Sequence, residues 1–274
     1  MSFNYQQTGL GQETDYASDY NPQLLCPLPR KQGRQELGLL DSDLPFQGVD
    51  VWHNYEASWL NAKGKPQVAI VRLLVPCNSA YLIESKSLKL YFNSLNFKKF
   101  NNQKELLSLL ETDLSKAAQA PIKARLFAVD NAYQLRQLQG QCLDNLEIEC
   151  DDYVLNPTIL SCQPAAQIVS ESLYSHLLRS NCPVTNQPDW GSVQISYTGY
   201  ALNHENLLRY LISFRQHNDF HEQCVERVFT DIMQYCQPQQ LTVQAHYTRR
   251  GGLDINPYRS NCQPFVEFQR LARQ

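Results

Sequence analysis

Several features that would assign a protein to a class at once are missing from this sequence. No uninterrupted apolar run approaches the roughly 20 residues needed to span a bilayer, and the first residues, MSFNYQQTGLGQETDY, are polar and acidic, unlike a signal peptide. Lysine and arginine are scattered among aspartate and glutamate, and the net charge is only -3, so no basic face is expected to bind nucleic acid. These absences predict a soluble, cytoplasmic protein without a membrane partner or a direct nucleic-acid partner.

Cysteine pairs at the spacing of a disulfide framework or a zinc site are also missing. The nine cysteines are an odd number, and no CxxC occurs among them. This pattern fits reduced thiols better than disulfides, and no metal site is expected. With 274 residues, 43% of them hydrophobic, the chain can form the packed core of one large domain or of two ordinary ones.

Apolar periodicity predicts an α+β chain that follows a leader segment. Residues 1–48 form this leader, in which the proline-rich stretch 21–30 is expected to be extended. Patterns with periods of 2 and 3.6 residues then alternate along the chain. They predict strands at 49–60, 67–75, 122–129, 146–148, 167–178, 192–200, 241–247 and 264–271, and helices from Ser85, around 106–114, at 205–214 and at 220–236. The turn signal NAKGKP, residues 61–66, predicts that the first two strands form a hairpin.

The predicted order of elements, strand-strand-helix-helix-strand-strand, occurs twice. Tyr91 and Ser94 align with Tyr210 and Ser213, each pair on the first helix of its half. We interpret the chain as a tandem duplication. Its two modules are expected at 49–150 and 151–274.

One stretch places a thiol and a carboxyl close together in sequence. Residues 180–190, SNCPVTNQPDW, contain two prolines and two asparagines, so we expect a rigid loop and neither a helix nor a strand. Cys182 at its start and Asp189, seven residues later, can supply a nucleophile and a proton donor to one small substrate. The alternative is that Cys182 is an unreactive side chain that fills a buried apolar gap.

A second stretch places a carboxylate at the start of a predicted helix. In ESKSLKLY, residues 84–91, the helix dipole and the free N–H groups favour an anion near Glu84. Glu84 can therefore be a helix cap beside solvated lysines. It can equally recognise a substrate, while Ser85 and Lys86 offer donors to a phosphate. The residues leave both interpretations open.

Two further motifs allow a structural and a functional interpretation. His221 and Glu222 start the last long helix, where they form either a capping pair on a solvated turn or part of a site. The stretch RRGG, residues 249–252, is a basic glycine-containing turn between two predicted strands. Backbone N–H groups and an arginine in such a turn suit a phosphate, although the bare pattern is not specific.

Together, these four motifs in this order resemble the QueF family, the NADPH-dependent 7-cyano-7-deazaguanine reductases of queuosine biosynthesis, in its long two-module form. The resemblance covers most of the chain. It implies two tandem modules of the tunnelling fold (T-fold), whose unit is two antiparallel strands, two helices and two more strands. It also implies no metal, whereas the related GTP cyclohydrolase I uses zinc.

The resemblance assigns a role to each motif. Cys182 would attack the nitrile to form a covalent thioimide, Asp189 would protonate the nitrile nitrogen, and His221 would assist proton transfer. A glutamate carboxylate matches the paired N–H donors of a deazaguanine. The implied substrate contacts are Ile83, Glu84, Ser85, His221 and Glu222, and the implied NADPH contacts are Ser85, Lys86, Arg250 and Gly251. Lys89 and Arg249 receive no role.

Two alternatives remain open at this point. A T-fold cyclohydrolase would need a cluster of metal ligands, and Cys182 with His221 or His246 lacks further partners at a recognisable spacing. A non-catalytic purine-binding T-fold protein would keep the pocket and lack the chemistry. The presence of both Cys182 and Asp189 disfavours it, and turnover would exclude it.

The motifs are divided between the halves. The first half carries Glu84 and lacks a counterpart to Cys182, while the second half carries Cys182 and Glu222. We therefore expect Glu84 and Glu222 to face the same bound deazaguanine, with one complete site per chain. A homodimer is also expected, since sheets of this fold close against a partner.

Overall fold

The computed structural model describes residues 19–130, 134–163 and 167–274, and within them the chain combines mostly antiparallel strands with helices. The predicted α+β class is confirmed, and the first 18 residues of the predicted leader lie outside the described residues. The strands are β1 (Pro27–Pro29), β2 (Gln47–Asn61), β3 (Pro66–Pro76), β4 (Tyr81–Ile83), β5 (Lys99–Phe100), β6 (Lys123–Phe127), β7 (Gln141–Cys142), β8 (Ile168–Ser175), β9 (Arg179–Asn181), β10 (Pro188–Tyr200), β11 (Gln240–Tyr247) and β12 (Leu253–Ser260). The helices are α1 (Lys31–Glu36), α2 (Ser85–Asn93), α3 (Gln103–Ala118), α4 (His204–Ser213) and α5 (His221–Cys236), with short 3-10 turns at Pro22–Leu24, Pro157–Ile159 and Phe214–Gln216.

The chain divides into two compact units. The first is formed by the described residues of Met1–Leu44 and Val49–Gln134 together with Arg249–Ile255. The second is formed by Pro45–Gly48, the described residues of Leu135–Thr248, and Asn256–Gln274. No helix in the described part of the chain has the length and the apolar character needed to span a membrane.

The first unit is built on the predicted hairpin of β2 and β3, which pair antiparallel. Asn61 closes the turn between them, because its side chain accepts the backbone N–H groups of Lys63 and Lys65, each at 3.0 Å. Gly64 supplies the left-handed conformation that this turn needs, with φ of +83°. Strand β6 pairs with the other edge of β3.

Helices α2 and α3 share one hydrophobic core with this hairpin. On α3, Leu106, Leu110 and Leu114 recur every four residues and are buried. Leu88 and Phe92 of α2 lie in the same core. Both helices were predicted from this spacing, and both are confirmed.

The sheet of the second unit has the order β12-β11-β10-β8-β7. Strand β10 pairs antiparallel with β8 on one side and with β11 on the other. On α5, the buried residues Val225, Val228, Phe229 and Ile232 follow the helical spacing that predicted this helix. The predicted helices at 205–214 and 220–236 are confirmed as α4 and α5.

A set of polar contacts joins the two helices of the first unit. The Tyr91 hydroxyl on α2 donates to Asp113 of α3 at 2.6 Å. The Ser94 hydroxyl donates to the Tyr91 carbonyl at 2.7 Å and accepts the Asn21 backbone N–H at 3.1 Å. Asn21 also caps the 3-10 turn Pro22–Leu24 with its side chain.

The second unit contains the same set. The Tyr210 hydroxyl donates to Asp231 at 2.6 Å, and the Ser213 hydroxyl donates to the Tyr210 carbonyl at 2.7 Å. The Asn156 backbone N–H donates to Ser213 at 3.2 Å, and the Asn156 side chain caps the 3-10 turn Pro157–Ile159. The Asn-Pro element is therefore a further sign of repetition, beyond the alignment of Tyr and Ser.

Two predicted strands are wrong. Residues 146–148 and 264–271 form no strand, and the last strand is instead β12. Its sequence LDINPYRS contains Asp, Asn, Pro and Arg, which local preference places outside strands. All eight residues are nevertheless buried, because side chains distant in sequence bind their polar groups. Arg259, for example, donates two hydrogen bonds to Glu226 of α5, at 3.1 and 2.9 Å.

The proline-rich stretch 21–30 is only partly extended. It contains the 3-10 turn Pro22–Leu24 before β1 begins at Pro27. Asn21 favours this turn by capping it, with proline at the first position of the turn.

Candidate active site

Cys182 and Asp189 lie at the turn of the β9–β10 hairpin. Asp189 pairs with Ser180 across the two strands, and Cys182 follows the last residue of β9. The Cys182 backbone N–H donates to the Gln187 carbonyl at 2.9 Å, which closes the turn. The prediction of a loop throughout residues 180–190 is wrong at both ends, because strand pairing overrides the turn signals there. Pro188 is the first residue of β10, a strand position that tolerates proline.

The turn of this hairpin is bound to the segment that precedes α5. The Asn181 backbone N–H donates to the His217 carbonyl at 2.8 Å, and the Asp219 N–H donates to the Asn181 carbonyl at 3.1 Å. The Asn218 side chain donates to the Asn186 side chain across the turn at 3.0 Å. These hydrogen bonds between two separate segments fix the turn of the hairpin relative to the start of α5.

The structure brings His221 and Asp189 together. His221 is the first residue of α5, and its Nε2 lies 3.8 Å from Oδ1 of Asp189. This distance is too long for a direct hydrogen bond but suits an ion pair or one bridging water. The imidazole can therefore exchange a proton with the carboxyl after a small movement.

The candidate site residues of the hairpin and of α5 are shielded from solvent. Cys182, Asp189 and Glu222 are 7%, 3% and 2% exposed. Glu222 lies in the first turn of α5, where backbone N–H groups and the helix dipole stabilise a carboxylate. Burial by itself suits an unreactive cysteine as well, but the same hairpin also buries the Asp189 carboxyl, with His221 beside it, and filling an apolar gap would not require this buried acid.

Tyr247 of β11 packs against His221. Their ring centroids are 4.0 Å apart at an interplanar angle of 89°. The Tyr247 and Ser180 hydroxyls are buried and make no hydrogen bond of ordinary geometry to any residue that the structure describes. Burial raises the pKa of Tyr247, and the Cys224 thiol and the Asp189 carboxylate raise it further. The Tyr247 hydroxyl therefore stays neutral, with its ring against His221.

In the first unit, Glu84 is the N-cap of α2, as one interpretation of the sequence predicted. Its carboxylate accepts the backbone N–H groups of Lys86 and Ser87, each at 2.7 Å. The Glu84 residue is 2% exposed, and burial raises the pKa of its carboxyl, while these two hydrogen bonds lower it. Cap and recognition roles are compatible, because a carboxylate has about four acceptor positions and the cap uses two.

The residues next to Glu84 in the sequence differ in their burial. The Ile83 side chain belongs to the hydrophobic core of the first unit. Ser85 and Lys86 are half-buried in the first turn of α2. The Ser85 hydroxyl lies 3.4 Å from the Glu84 carboxylate.

The basic turn 249–252 lies beside α2. Gly251 and Gly252 have φ of +57° and +80°, a conformation that other residues rarely adopt. The Arg250 backbone N–H donates to the Leu253 carbonyl at 2.8 Å. A Cβ added to Gly251 would come within 3.2 Å of the Lys89 Nζ atom. The first unit therefore brings a basic turn and a lysine of α2 together, although the motifs assigned no role to Lys89.

Some residues that shape these sites were missed by sequence reasoning. Tyr247 is one, and its place at the end of a predicted strand just before the RRGG motif was the available signal. Tyr55, which contacts the basic turn, and Asp254, which accepts the Tyr55 hydroxyl, had no signal, because the partners that they bind are remote in sequence. Within the described residues there is no group of three or more His, Cys, Asp or Glu side chains that could hold a metal ion.

Comparison with known proteins identifies relatives over almost the whole chain. The family described as nitrile reductase, 7-cyano-7-deazaguanine-reductase N-term, matches residues 16–126, and the family described as QueF-like protein matches residues 188–265. The NADPH-dependent 7-cyano-7-deazaguanine reductase of Hydrogenovibrio crunogenus is 54% identical over 266 residues, which cover 97% of this chain and 96% of the relative.

A solved structure, the archaeosine synthase QueF-Like in the apo form, is 17% identical and covers 37% of this chain and 99% of its own. Its TM-score of 0.30 is too low to establish a common fold. The family is instead shown by the Hydrogenovibrio relative, because 54% identity extends over nearly the full length of both proteins. The protein belongs to the QueF family, the NADPH-dependent 7-cyano-7-deazaguanine reductases.

Proposed function

We propose that the protein reduces the nitrile of 7-cyano-7-deazaguanine to the primary amine of 7-aminomethyl-7-deazaguanine, with NADPH as the reductant, in the synthesis of queuosine in tRNA. Its relative at 54% identity is named for this reductase activity. The observation that carries the proposal is the shielded hairpin with Cys182 and Asp189, where His221 lies 3.8 Å from the carboxyl.

Cys182 is the nucleophile in this proposal. The Cys182 thiol passes its proton to His221, the resulting thiolate sulfur bonds to the nitrile carbon, and one π bond of the nitrile becomes an electron pair on nitrogen. Asp189 transfers a proton to that nitrogen, which yields a neutral thioimide. The step divides a difficult reduction, because the thioimide carbon accepts a hydride more readily than a nitrile carbon does. His221 then returns a proton to Asp189.

NADPH supplies a hydride when bound, and two equivalents are needed to convert a nitrile into an amine. The residues that we propose for its binding are Ser85, Lys86, Arg250 and Gly251. The glycine turn supports this assignment, since Gly251 is exposed, lacks a side chain and has a positive φ, a turn conformation in which backbone N–H groups suit a phosphate. Arg250 adds a fixed charge that suits phosphate oxygens.

We assign recognition of the deazaguanine to Glu84 and Glu222, with Ile83, Ser85 and His221 as further contacts. Both glutamates are buried carboxylates at the N-terminus of a helix, Glu84 before α2 and Glu222 in α5. The Glu84 carboxylate accepts the N–H groups of Lys86 and Ser87 and keeps further acceptor positions for the N–H donors of an aminopyrimidine edge.

The decisive experiment is the stepwise assay of the reaction. Without NADPH, the wild-type protein should form a covalent adduct with 7-cyano-7-deazaguanine, which intact-mass spectrometry detects. With NADPH, two cofactor molecules should be consumed per amine formed, as followed by nicotinamide absorbance. Cys182→Ala should form no adduct and no amine.

The matched control is Cys262→Ala, which removes an exposed thiol in the same unit. This variant should form the adduct as the wild type does. Binding of the nitrile without turnover would instead indicate a purine-binding protein, and an adduct in Cys182→Ala would move the nucleophile elsewhere.

We further propose that the two halves, 49–150 and 151–274, are tandem T-fold modules behind a leader at 1–48, and that the chain forms a homodimer. The repeated Tyr-Asp and Ser-Asn contacts in each unit support the duplication. All nine cysteines are free thiols, which supports action in the cytoplasm.

A further inference from the structure

Strand β2 contains a bulge between Asn54 and Ala57. Tyr55 and Glu56 together lie opposite a single residue of β3, and the Asn54 side chain accepts the Glu56 backbone N–H at 2.9 Å. Because one residue is extra, the alternation of faces reverses, and Trp52 and Ala57 both lie in the core although an odd number of positions separates them. Bulges of this kind redirect side chains next to functional sites.

The redirected residues contact the basic turn of the same unit. The Tyr55 backbone N–H donates to the Gly252 carbonyl at 2.9 Å. The Arg249 guanidinium lies 3.9 Å from the centroid of the Tyr55 ring, within the range of a cation–π contact. Gly252 packs so closely on Glu56 that an added Cβ would be 2.4 Å from the Glu56 carboxyl carbon. The bulge therefore contacts the turn through both Tyr55 and Glu56.

A buried network of polar side chains binds the hydroxyl of Tyr55. The Tyr55 hydroxyl donates to one oxygen of Asp254 at 2.6 Å, and Nδ1 of His53 lies 2.7 Å from the other oxygen. Arg72 donates from Nε to Nε2 of His53 at 2.9 Å. Since Nε2 accepts this bond, the His53 proton is on Nδ1 and is donated to Asp254.

This side-chain network contributes less to the stability of the core than apolar side chains would. His53 and Asp254 are 0% and 1% exposed, and burying charged groups stabilises a fold less than apolar residues of the same volume would. Its outer end is Arg249, which is exposed on the turn. The side-chain network thus connects the interior of the first unit to the basic turn.

We infer that Tyr55 is a positioning residue for the cofactor turn Arg249–Gly252. Its ring holds Arg249, its N–H holds Gly252, and its hydroxyl holds Asp254, so that Arg250 and Gly251 keep the conformation that binds a phosphate of NADPH. The inference rests on the proposed role of this turn in cofactor binding. Tyr55 itself needs no contact with the cofactor.

The test compares Tyr55→Leu with Tyr55→Phe, and Tyr200→Leu, an exposed tyrosine of the second unit, is the control. Tyr55→Leu removes both the ring and the hydroxyl and should raise the KM for NADPH about tenfold, whereas Tyr55→Phe keeps the ring under Arg249 and should raise it about threefold. The kcat at saturating NADPH and the formation of the nitrile adduct should match the wild type in both variants.

The variant Arg250→Ala distinguishes a failure of the positioning role of Tyr55 from a failure of the proposed cofactor turn. If Arg250→Ala raises the KM for NADPH and Tyr55→Leu does not, the positioning role is wrong and the cofactor turn stands. If neither variant changes this KM, the cofactor turn itself is wrong. A loss of kcat and of the adduct in proportion to the loss of folded protein would mean that Tyr55 is purely structural. Should Tyr55→Leu fail to fold, an unchanged KM in Tyr55→Phe overturns the inference.

Discussion

At the scale of single residues, substitution of Asp189 tests whether its carboxyl acts in the chemical step or in substrate binding. Its carboxyl is 3% exposed and sits one strand position from the turn that carries Cys182. Asparagine at this position has the same shape but donates no acidic proton. We expect Asp189→Asn to lower kcat by about 10² to 10⁴, while the affinity for 7-cyano-7-deazaguanine in a calorimetric titration stays near that of the wild type.

The control for this variant is Asp152→Asn, an exposed aspartate of the same unit, which should keep full activity. If Asp189→Asn lowers affinity and leaves kcat unchanged, Asp189 recognises the substrate and is not the proton donor.

Glu84 should impose a pH dependence on substrate binding. Burial raises the pKa of its carboxyl, against the lowering by the hydrogen bonds from Lys86 and Ser87. An acid with a raised pKa becomes protonated at a higher pH than usual, and the protonated form loses an acceptor for the substrate. The KM for the nitrile should therefore rise as the pH falls through this raised pKa, at a pH above that of an ordinary glutamate.

The variant Glu84→Gln removes the titrating group. Its KM for the nitrile should be higher than that of the wild type at neutral pH and should not change over the acidic range. Weaker capping of α2 should also cost about 0.5–2 kcal/mol of stability. If the KM of Glu84→Gln for the nitrile still rises as the pH falls, another group is responsible for the pH dependence.

At the scale of elements, α2 and its N-cap Glu84 combine capping and core packing with the proposed binding of ligands. Lys86 and Lys89 are one turn apart on this helix, and Lys89 lies beside Gly251 of the basic turn. We expect Lys86→Ala and Arg250→Ala each to raise the KM for NADPH about tenfold or more, since a lost charge-assisted contact costs about 1.5–3 kcal/mol. The nitrile adduct should form normally in both variants.

Lys104→Ala on the exposed face of α3 is the matched control and should leave this KM unchanged. Loss of the adduct in both Lys86→Ala and Arg250→Ala would place these residues at the nitrile and not at the cofactor.

Helix α5 and strand β12 share a buried ion pair. Glu226 accepts two hydrogen bonds from Arg259, and the two residues are 2% and 0% exposed. We expect Glu226→Ala to lower the free energy of unfolding by about 3–5 kcal/mol, because it leaves a buried charge without its partner. Chemical denaturation measures this change.

The double variant Glu226→Leu/Arg259→Met should recover most of that loss, because both charges are removed together. If the double variant is less stable than Glu226→Ala, the pair has a further role in the fold.

At the scale of the whole molecule, the proposed site residues are divided between the two halves of the sequence. Mixing inactive Glu84→Ala chains with inactive Cys182→Ala chains, followed by subunit exchange, tests whether one chain holds a complete site. We expect no recovery of activity, since each chain would still lack one essential group. Recovered activity would show that sites are completed between chains.

This experiment requires that the oligomers exchange, which light scattering on differently tagged chains can establish. The same measurement tests the proposed homodimer, for which the mass of the assembly should be twice the 31.6 kDa of one chain.

The sequence by itself determined the elements whose side-chain pattern is local. Helices α3 and α5 and the β2–β3 hairpin follow from apolar spacing and from the Asn61 turn. The motifs around Glu84, Cys182, His221 and Arg250 indicated the family through their residue types and their order along the chain. Strand β12 was missed for the opposite reason, since its polar residues are buried only because partners such as Glu226 lie far away in the chain.

Tertiary structure alone decided how the motif residues are held. The approach of His221 to Asp189 depends on the hydrogen bonds of Asn181, and the contact of Tyr55 with Arg249 depends on an extra residue in β2. These contacts join residues that are separated by up to about two hundred positions, and no local preference encodes such a pairing. The sequence therefore predicted which residues carry the chemistry, and the packing of distant segments decided which side chains hold those residues in place.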